Sequence, residues 1–256
     1  MSGDRIAIRY RLTPAAGESA EQKARDIALE QTVELPEARY PTGIAERVVG
    51  RVESVVRADP GTWDARITYD TRLVGSELLS LANLVFGNIS MKRGIRVVDL
   101  DLPASLLDRL GGPAFGIPGI RRLVGAEDGR PLVCAAAKPV GLSSSELAEL
   151  CARFAEAGVD IVKDDHSLSD QEWAPFDERV ARCQEAVVKA NARTGSRTRY
   201  FPNLLGAPDA ILARLETARA AGCQGVVVAP LAVGIGMVQE ITRRAGMTVL
   251  AHPMLS

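Results

Sequence analysis

Histidine is scarce in this chain: only His166 and His252 occur among 256 residues. Aromatic residues make up 4%, too few for the base-stacking platforms of single-strand-binding proteins. Neither sign of charge dominates, with 31 Lys plus Arg against 32 Asp plus Glu, so no polybasic surface for nucleic acid is implied. A local basic patch still fits inside that neutral total. No apolar run approaches the roughly 20 residues of a membrane-crossing helix, and MSGDRIAIRYRLTP lacks the apolar core of a secretory signal. A cytoplasmic protein without membrane or nucleic-acid partners is the expectation. The four cysteines, Cys134, Cys151, Cys183 and Cys223, show no CxxC spacing and read as reduced core residues rather than zinc ligands or disulfides.

What is present is a soluble, globular composition, 46% hydrophobic and 25% charged, whose pattern changes near residue 130. Before that point the elements are irregular. RIAIRYRL, RVVGRVESVVRA and ARITYDTRLV alternate like strands of an antiparallel sheet, while SAEQKARDIALEQTV and GSELLSLANLVFGN read as helices. Afterwards come short apolar runs, each but the last followed by an amphipathic helix: PLVCAAAKP, VDIVKDD, TRYFPNLLG, GVVVAPL and MTVLAHP. Ser143 and Glu146 have capping-box spacing ahead of the apolar stripe Leu147, Leu150, Cys151 and Phe154. Continuous apolar strands separated by helices predict a parallel sheet buried on both faces. The expected fold is thus α/β. An α+β, ferredoxin-like domain (1–125) precedes about five strands of an incomplete TIM (β/α)8 barrel (126–256), since a closed barrel needs eight strands.

In parallel α/β folds the reacting groups project from the C-terminal ends of the strands. Lys138, the run Lys163-Asp164-Asp165-His166, Asn203 and His252 all fall at such ends. Period-two geometry puts Lys163 and Asp165 on one face, where they permit an oxygen-rich cation site if the lysine is carbamylated, because an ammonium cannot ligate a metal. A Lys–Asp ion pair with a capping aspartate explains the same run equally well, and capping or loop-forming roles are open for Asn203, Lys138 and His252.

Together GRPLVCAAAKPVGLS, AGVDIVKDDHSLSDQEWAPFDERV and LAHPM resemble the first, second and fifth barrel strands of the RuBisCO large-chain superfamily. FGNISMKRGIRVVDLDLP and GPAFGIPGIR resemble its interdomain segments. The resemblance implies that Lys138 is a catalytic base and that Lys163 carries a carbamate formed from CO2. It implies that Asp165 ligates Mg2+ and that His252 is an active-site histidine. Glu30 and Asn88 would bind substrate in the site of a neighbouring subunit, so a homodimer with shared sites is implied, and Asn203 is a further substrate-binding candidate.

Two departures point away from CO2 fixation. His166 stands in place of the family's metal-binding glutamate, which brings Mn2+ or another divalent ion into question, because imidazole suits these better than Mg2+. KPVGLS is one residue shorter than the carboxylases' KPKLGLS, with Val140 in place of the second lysine. The pattern is that of a RuBisCO-like protein, a metal-dependent isomerase or enolase acting on a phosphorylated ketose through an enediolate. A decarboxylase of a phosphorylated 3-oxo sugar acid and a non-catalytic relative with a decayed metal site are the alternatives. The family's phosphate-binding loops follow its sixth to eighth strands, so these 256 residues alone are expected to be inactive.

Overall fold

The computed structural model describes residues 4–36, 39, 41 and 43–256. They form two compact units, Met1–Gly111 and Gly112–Ser256.

In the first unit, strands β1 (Arg5–Leu12), β2 (Arg51–Asp59), β3 (Thr62–Asp70) and β4 (Ile95–Asp101) form an antiparallel sheet in the order β2-β3-β1-β4. Helix α1 (Ala20–Glu30) connects β1 to the α2 (Ile44–Val48) segment and β2, and α3 (Leu78–Phe86) lies between β3 and β4. The chain order is the split βαββαβ pattern, of which the sequence suggested the first three strands and both helices. Alternation in β1 buries Ile6, Ile8, Tyr10 and Leu12 against Ala24 and Ile27 of α1 and Leu81 and Leu84 of α3. On the opposite face Arg11 lies across from Asp64 and grips both carboxylate oxygens at 2.8 and 3.0 Å. The expected strand RVVGRVESVVRA starts only at Arg51, and Arg47 and Val48 end α2 instead. The break falls at Gly50, where a Cβ would sit 2.5 Å from the Tyr69 ring. Strand β4 was not foreseen; most of its residues are half-buried or exposed, which blurs its apolar alternation.

The second unit holds the five expected strands: β5 (Cys134–Ala137), β6 (Ile161–Asp164), β7 (Arg199–Phe201), β8 (Gly225–Val228) and β9 (Thr248–Ala251). All pairings are parallel and follow chain order, with the Asn203–Val227 bridge joining the β5-β6-β7 group to β8-β9. Helices α6 (Ser144–Glu156), α7 (Phe176–Thr194), α8 (Pro208–Ala220) and α10 (Ile235–Ala245) form the crossovers; the short α9 (Pro230–Val233) precedes α10. The Ser143–Glu146 capping box is formed at the start of α6. One face of the strands packs Val162, Tyr200 and Val226 against the helices, while Ile161, Phe201 and Val227 meet Val124 and Ala126 on the other. Those last two contacts explain why α5 (Gly116–Val124), which follows α4 (Ala104–Leu110), belongs to the second unit, although the change of rhythm suggested a boundary at 125/126. Three cysteines are buried as expected; Cys134 is exposed at the start of β5. Among the described residues, no helix is long and apolar enough to cross a membrane.

Candidate active site

Strand register builds the site. Ala137 of β5 pairs with Asp164 of β6, so the next residues, Lys138 and Asp165, emerge side by side. The Lys138 ammonium lies 2.6 Å from Oδ2 of Asp165. Alternation along β6 sends Val162 and Asp164 toward the helices and leaves Lys163 and Asp165 on the other face. Lys163 Nζ donates to the Asp164 carbonyl at 2.9 Å. His252 directly follows β9, which is not a neighbour of β6, yet its ring stacks on His166 with centroids 4.6 Å apart and planes 19° from parallel. The curvature of the parallel strands therefore brings Lys138, Lys163, Asp165 and both histidines of the chain to one place.

The electrostatics follow from that crowding. Burial opposes ionisation of Asp165, but Lys138, the Ser167 N–H (3.0 Å to Oδ1) and the adjacent His166 outweigh it and hold the carboxyl at about 2. His252 is held below the usual histidine range by burial and then by the Lys163 charge. Its Nδ1 accepts the Met254 N–H at 3.1 Å, which leaves Nε2 as the site of the ring proton.

Behind the site lies a network that one feature of the sequence could have revealed. Asp164 is fully buried and accepts from Arg179 Nε (3.2 Å), the Tyr200 hydroxyl (2.7 Å) and the Asn203 N–H (3.1 Å). Burial pushes its carboxyl up, and three donors, one a guanidinium, oppose that shift. Arg179 also donates to the carbonyls of Ala174 and Ser169, pinning the loop that follows Asp165. An arginine on the same stripe as Phe176, Val180 and Cys183 is the pattern that marks a buried, partnered charge.

The remaining expected site residues stand elsewhere. Asn203 is buried, and its Nδ2 donates to the carbonyls of His166 (3.0 Å) and Leu168 (2.8 Å), a loop-forming geometry. In the first unit Glu30 pairs with Lys92 at 2.7 Å. Asn88 is half-buried at the turn after α3.

A strand-end lysine beside an aspartate, with a second lysine and a histidine close by, is the arrangement that the sequence resemblance implied. Residues 1–106 match the family model of the ribulose bisphosphate carboxylase large chain, N-terminal domain, and residues 116–253 that of its catalytic domain. The chain belongs to the RuBisCO large-chain family. Within that family it is 37% identical to the 5-methylthioribulose-1-phosphate isomerase of Rhodospirillum rubrum, over 99% of this chain and 68% of that one. It is 32% identical to the 3-oxo-isoapionate-4-phosphate decarboxylase of Rhizobium etli, over 93% of this chain and 57% of that one. The solved RuBisCO-like protein of Rhodopseudomonas palustris superimposes with a TM-score of 0.89 at 39% identity, covering 100% of this chain and 72% of that one. The first two of these are named as an isomerase and a decarboxylase, and the third as a RuBisCO-like protein.

The family's divalent cation can be tested against the donors present. Oδ2 of Asp165 is buried and, besides the Lys138 ammonium, has no directed hydrogen-bond donor, which suits a cation ligand. Among the described residues no group of three or more His, Cys, Asp or Glu side chains is gathered, so the donor set closes only if Lys163 becomes an oxygen donor.

Proposed function

We propose that the protein is a metal-dependent isomerase or enolase of a phosphorylated ketose, working through an enediolate and not fixing CO2. The observation behind this reading is the Lys138–Asp165 contact beside the His166–His252 stack, on a chain related to a 5-methylthioribulose-1-phosphate isomerase. In this reading the five parallel strands are barrel strands and residues 126–256 lie in the catalytic domain. Lys163, as a carbamate, would hold Mg2+ together with Asp165, and His166 would favour Mn2+ or another imidazole-tolerant ion in the same place. When bound, the ion supplies Lewis-acid polarisation of the substrate carbonyl.

Lys138 removes the proton next to that carbonyl as a neutral amine, after its ammonium has released a proton to solvent, a loss that a cation held by Asp165 would favour. Its ammonium is exposed to incoming substrate, while Asp165 fixes its position. Returning the proton to the neighbouring carbon completes an isomerisation. His252, kept neutral by burial, donates from Nε2 to a substrate oxygen. Asn203 orders the loop that presents His166. Glu30 and Asn88 serve the site of a second copy in a cytoplasmic homodimer. Decarboxylation of a phosphorylated 3-oxo acid passes through the same enediolate and is the second reading, favoured by the 32% identity to the Rhizobium etli enzyme.

Two measurements test the reading. Mn2+ titrated in bicarbonate buffer should release heat, and Lys163→Ala should abolish it; absence of heat from the unaltered protein overturns the metal assignment. In D2O, the protein should place deuterium on carbon in 5-methylthioribulose 1-phosphate. Metal-loaded protein that exchanges no proton is not an enolising enzyme of that substrate.

A further inference from the structure

At the N-terminal ends of the parallel strands, opposite to Lys138 and His252, lies a second polar concavity of about 480 Å³. Three arginines line it: Arg122 from α5, Arg197 from the loop after α7, and Arg199, the first residue of β7. Asn191 and Ser196 complete its polar wall. None of the three guanidinium groups makes an ion pair among the described residues, and the buried acid at the same strand ends, Asp160, is held by Arg130 at 2.6 Å. Burial first, and then the charge of Arg197, press the Arg199 guanidinium below its ordinary pKa.

Part of this charge has a structural purpose. Arg199 Nε donates to the Leu123 carbonyl at 3.1 Å in the last turn of α5, and Arg197 packs over Gly125, the residue that caps that helix. The C-terminal end of α7 lies at the same place. Each helix end is equivalent to about half a negative charge, so two of them offset only about one of the three positive charges. An excess of about two remains, in a chain whose net charge is -1.

The donors left over have the geometry for an oxyanion. Arg122 and Arg197 donate to no acceptor among the described residues, and Arg199 commits only Nε. Ser196 Oγ lies 2.9 Å from the Thr194 hydroxyl at the edge of the same wall. The wall is also held in advance of any ligand: the Asn191 amide bonds both the carbonyl and the N–H of Thr198, at 2.9 and 3.2 Å. We infer that this cavity is a second binding site, distinct from the candidate active site, for a phosphoryl dianion, either free phosphate or the phosphate of a small metabolite. Two charges match its residual excess, and guanidinium forks pair with phosphoryl oxygens bidentately.

Calorimetric titration with inorganic phosphate, ribose 5-phosphate and ribose, at constant ionic strength in chloride, tests this. The two phosphate compounds should bind saturably and ribose should not. Arg122→Ala removes an exposed guanidinium that makes no hydrogen bond, so the fold persists, and it should raise Kd at least tenfold. Lys138→Ala, at the other strand ends, should leave Kd within twofold. Tighter binding of ribose 5-phosphate than of phosphate assigns the site to a metabolite; equal or weaker binding assigns it to free phosphate. No saturable binding overturns the inference, as does binding unchanged in both Arg122→Ala and Arg197→Ala, or binding weakened tenfold by Lys138→Ala.

Discussion

Arg179 donates Nε–H to Oδ2 of Asp164 across 3.2 Å with both side chains almost completely buried. Asp164 stands between Lys163 and Asp165 in the chain but points away from them, so this pair anchors the strand end from behind while its neighbours face the site. Buried pairs of this kind add little over a hydrophobic replacement of both partners, yet removing one partner strands the other charge.

Arg179→Met should therefore lower stability by about 3–5 kcal/mol, measured by urea unfolding. Tyr200→Phe, which deletes one 2.7 Å hydrogen bond to the same carboxylate, should cost less, about 1.5–3 kcal/mol. Equal stability of Arg179→Met and the unaltered protein would show that Asp164 needs no counter-charge.

Lys138→Met should lower the melting temperature modestly, because Lys138 itself is 61% exposed but the Asp165 carboxylate it pairs with is only 3% exposed. It should slow deuterium exchange into the ketose by about a hundredfold or more, as expected for loss of a general base. The Asp165 carboxyl, now at about 2 with the lysine beside it, should titrate higher in the variant, which carboxylate NMR can follow.

Gly225 opens β8, and a Cβ there would fall 2.3 Å from the Phe201 ring. Gly225→Ala should cost about 1–3 kcal/mol by overpacking. Combined with Phe201→Leu the cost should be less than the sum of the two single changes, and strict additivity in a denaturation cycle would rule out the contact.

Acid should destabilise both units through carboxylates depressed by arginine. Asp70 is held at about 2, chiefly by the Arg72 hydrogen bond, and Asp160 is lowered chiefly by Arg130. A lowered folded-state pKa contributes stability that is complete above the unfolded value near 4 and is lost as pH falls toward 2. Melting temperature should fall across that window, and Asp70→Asn and Asp160→Asn should each flatten the slope.

Local signals decided much of this protein. Five apolar runs became five parallel strands, the first four of them each followed by a helix, and Ser143–Glu146 caps the first of those helices. The strand ends with Lys138, Lys163, Asp165 and His252 were legible for the same reason, since period-two alternation is a property of the chain itself. Where alternation was weak, as in β4, or where Gly50 lies against Tyr69, the element and its boundary were not legible. The pairing of Lys138 with Asp165, instead of Lys163 with Asp165, depended on the Ala137–Asp164 register between separate strands. The His166–His252 stack required the curvature of the whole set of strands, and the three arginines converge because α5 packs at the strand starts. Contacts of that kind are set by how elements pack, which no short stretch of sequence encodes.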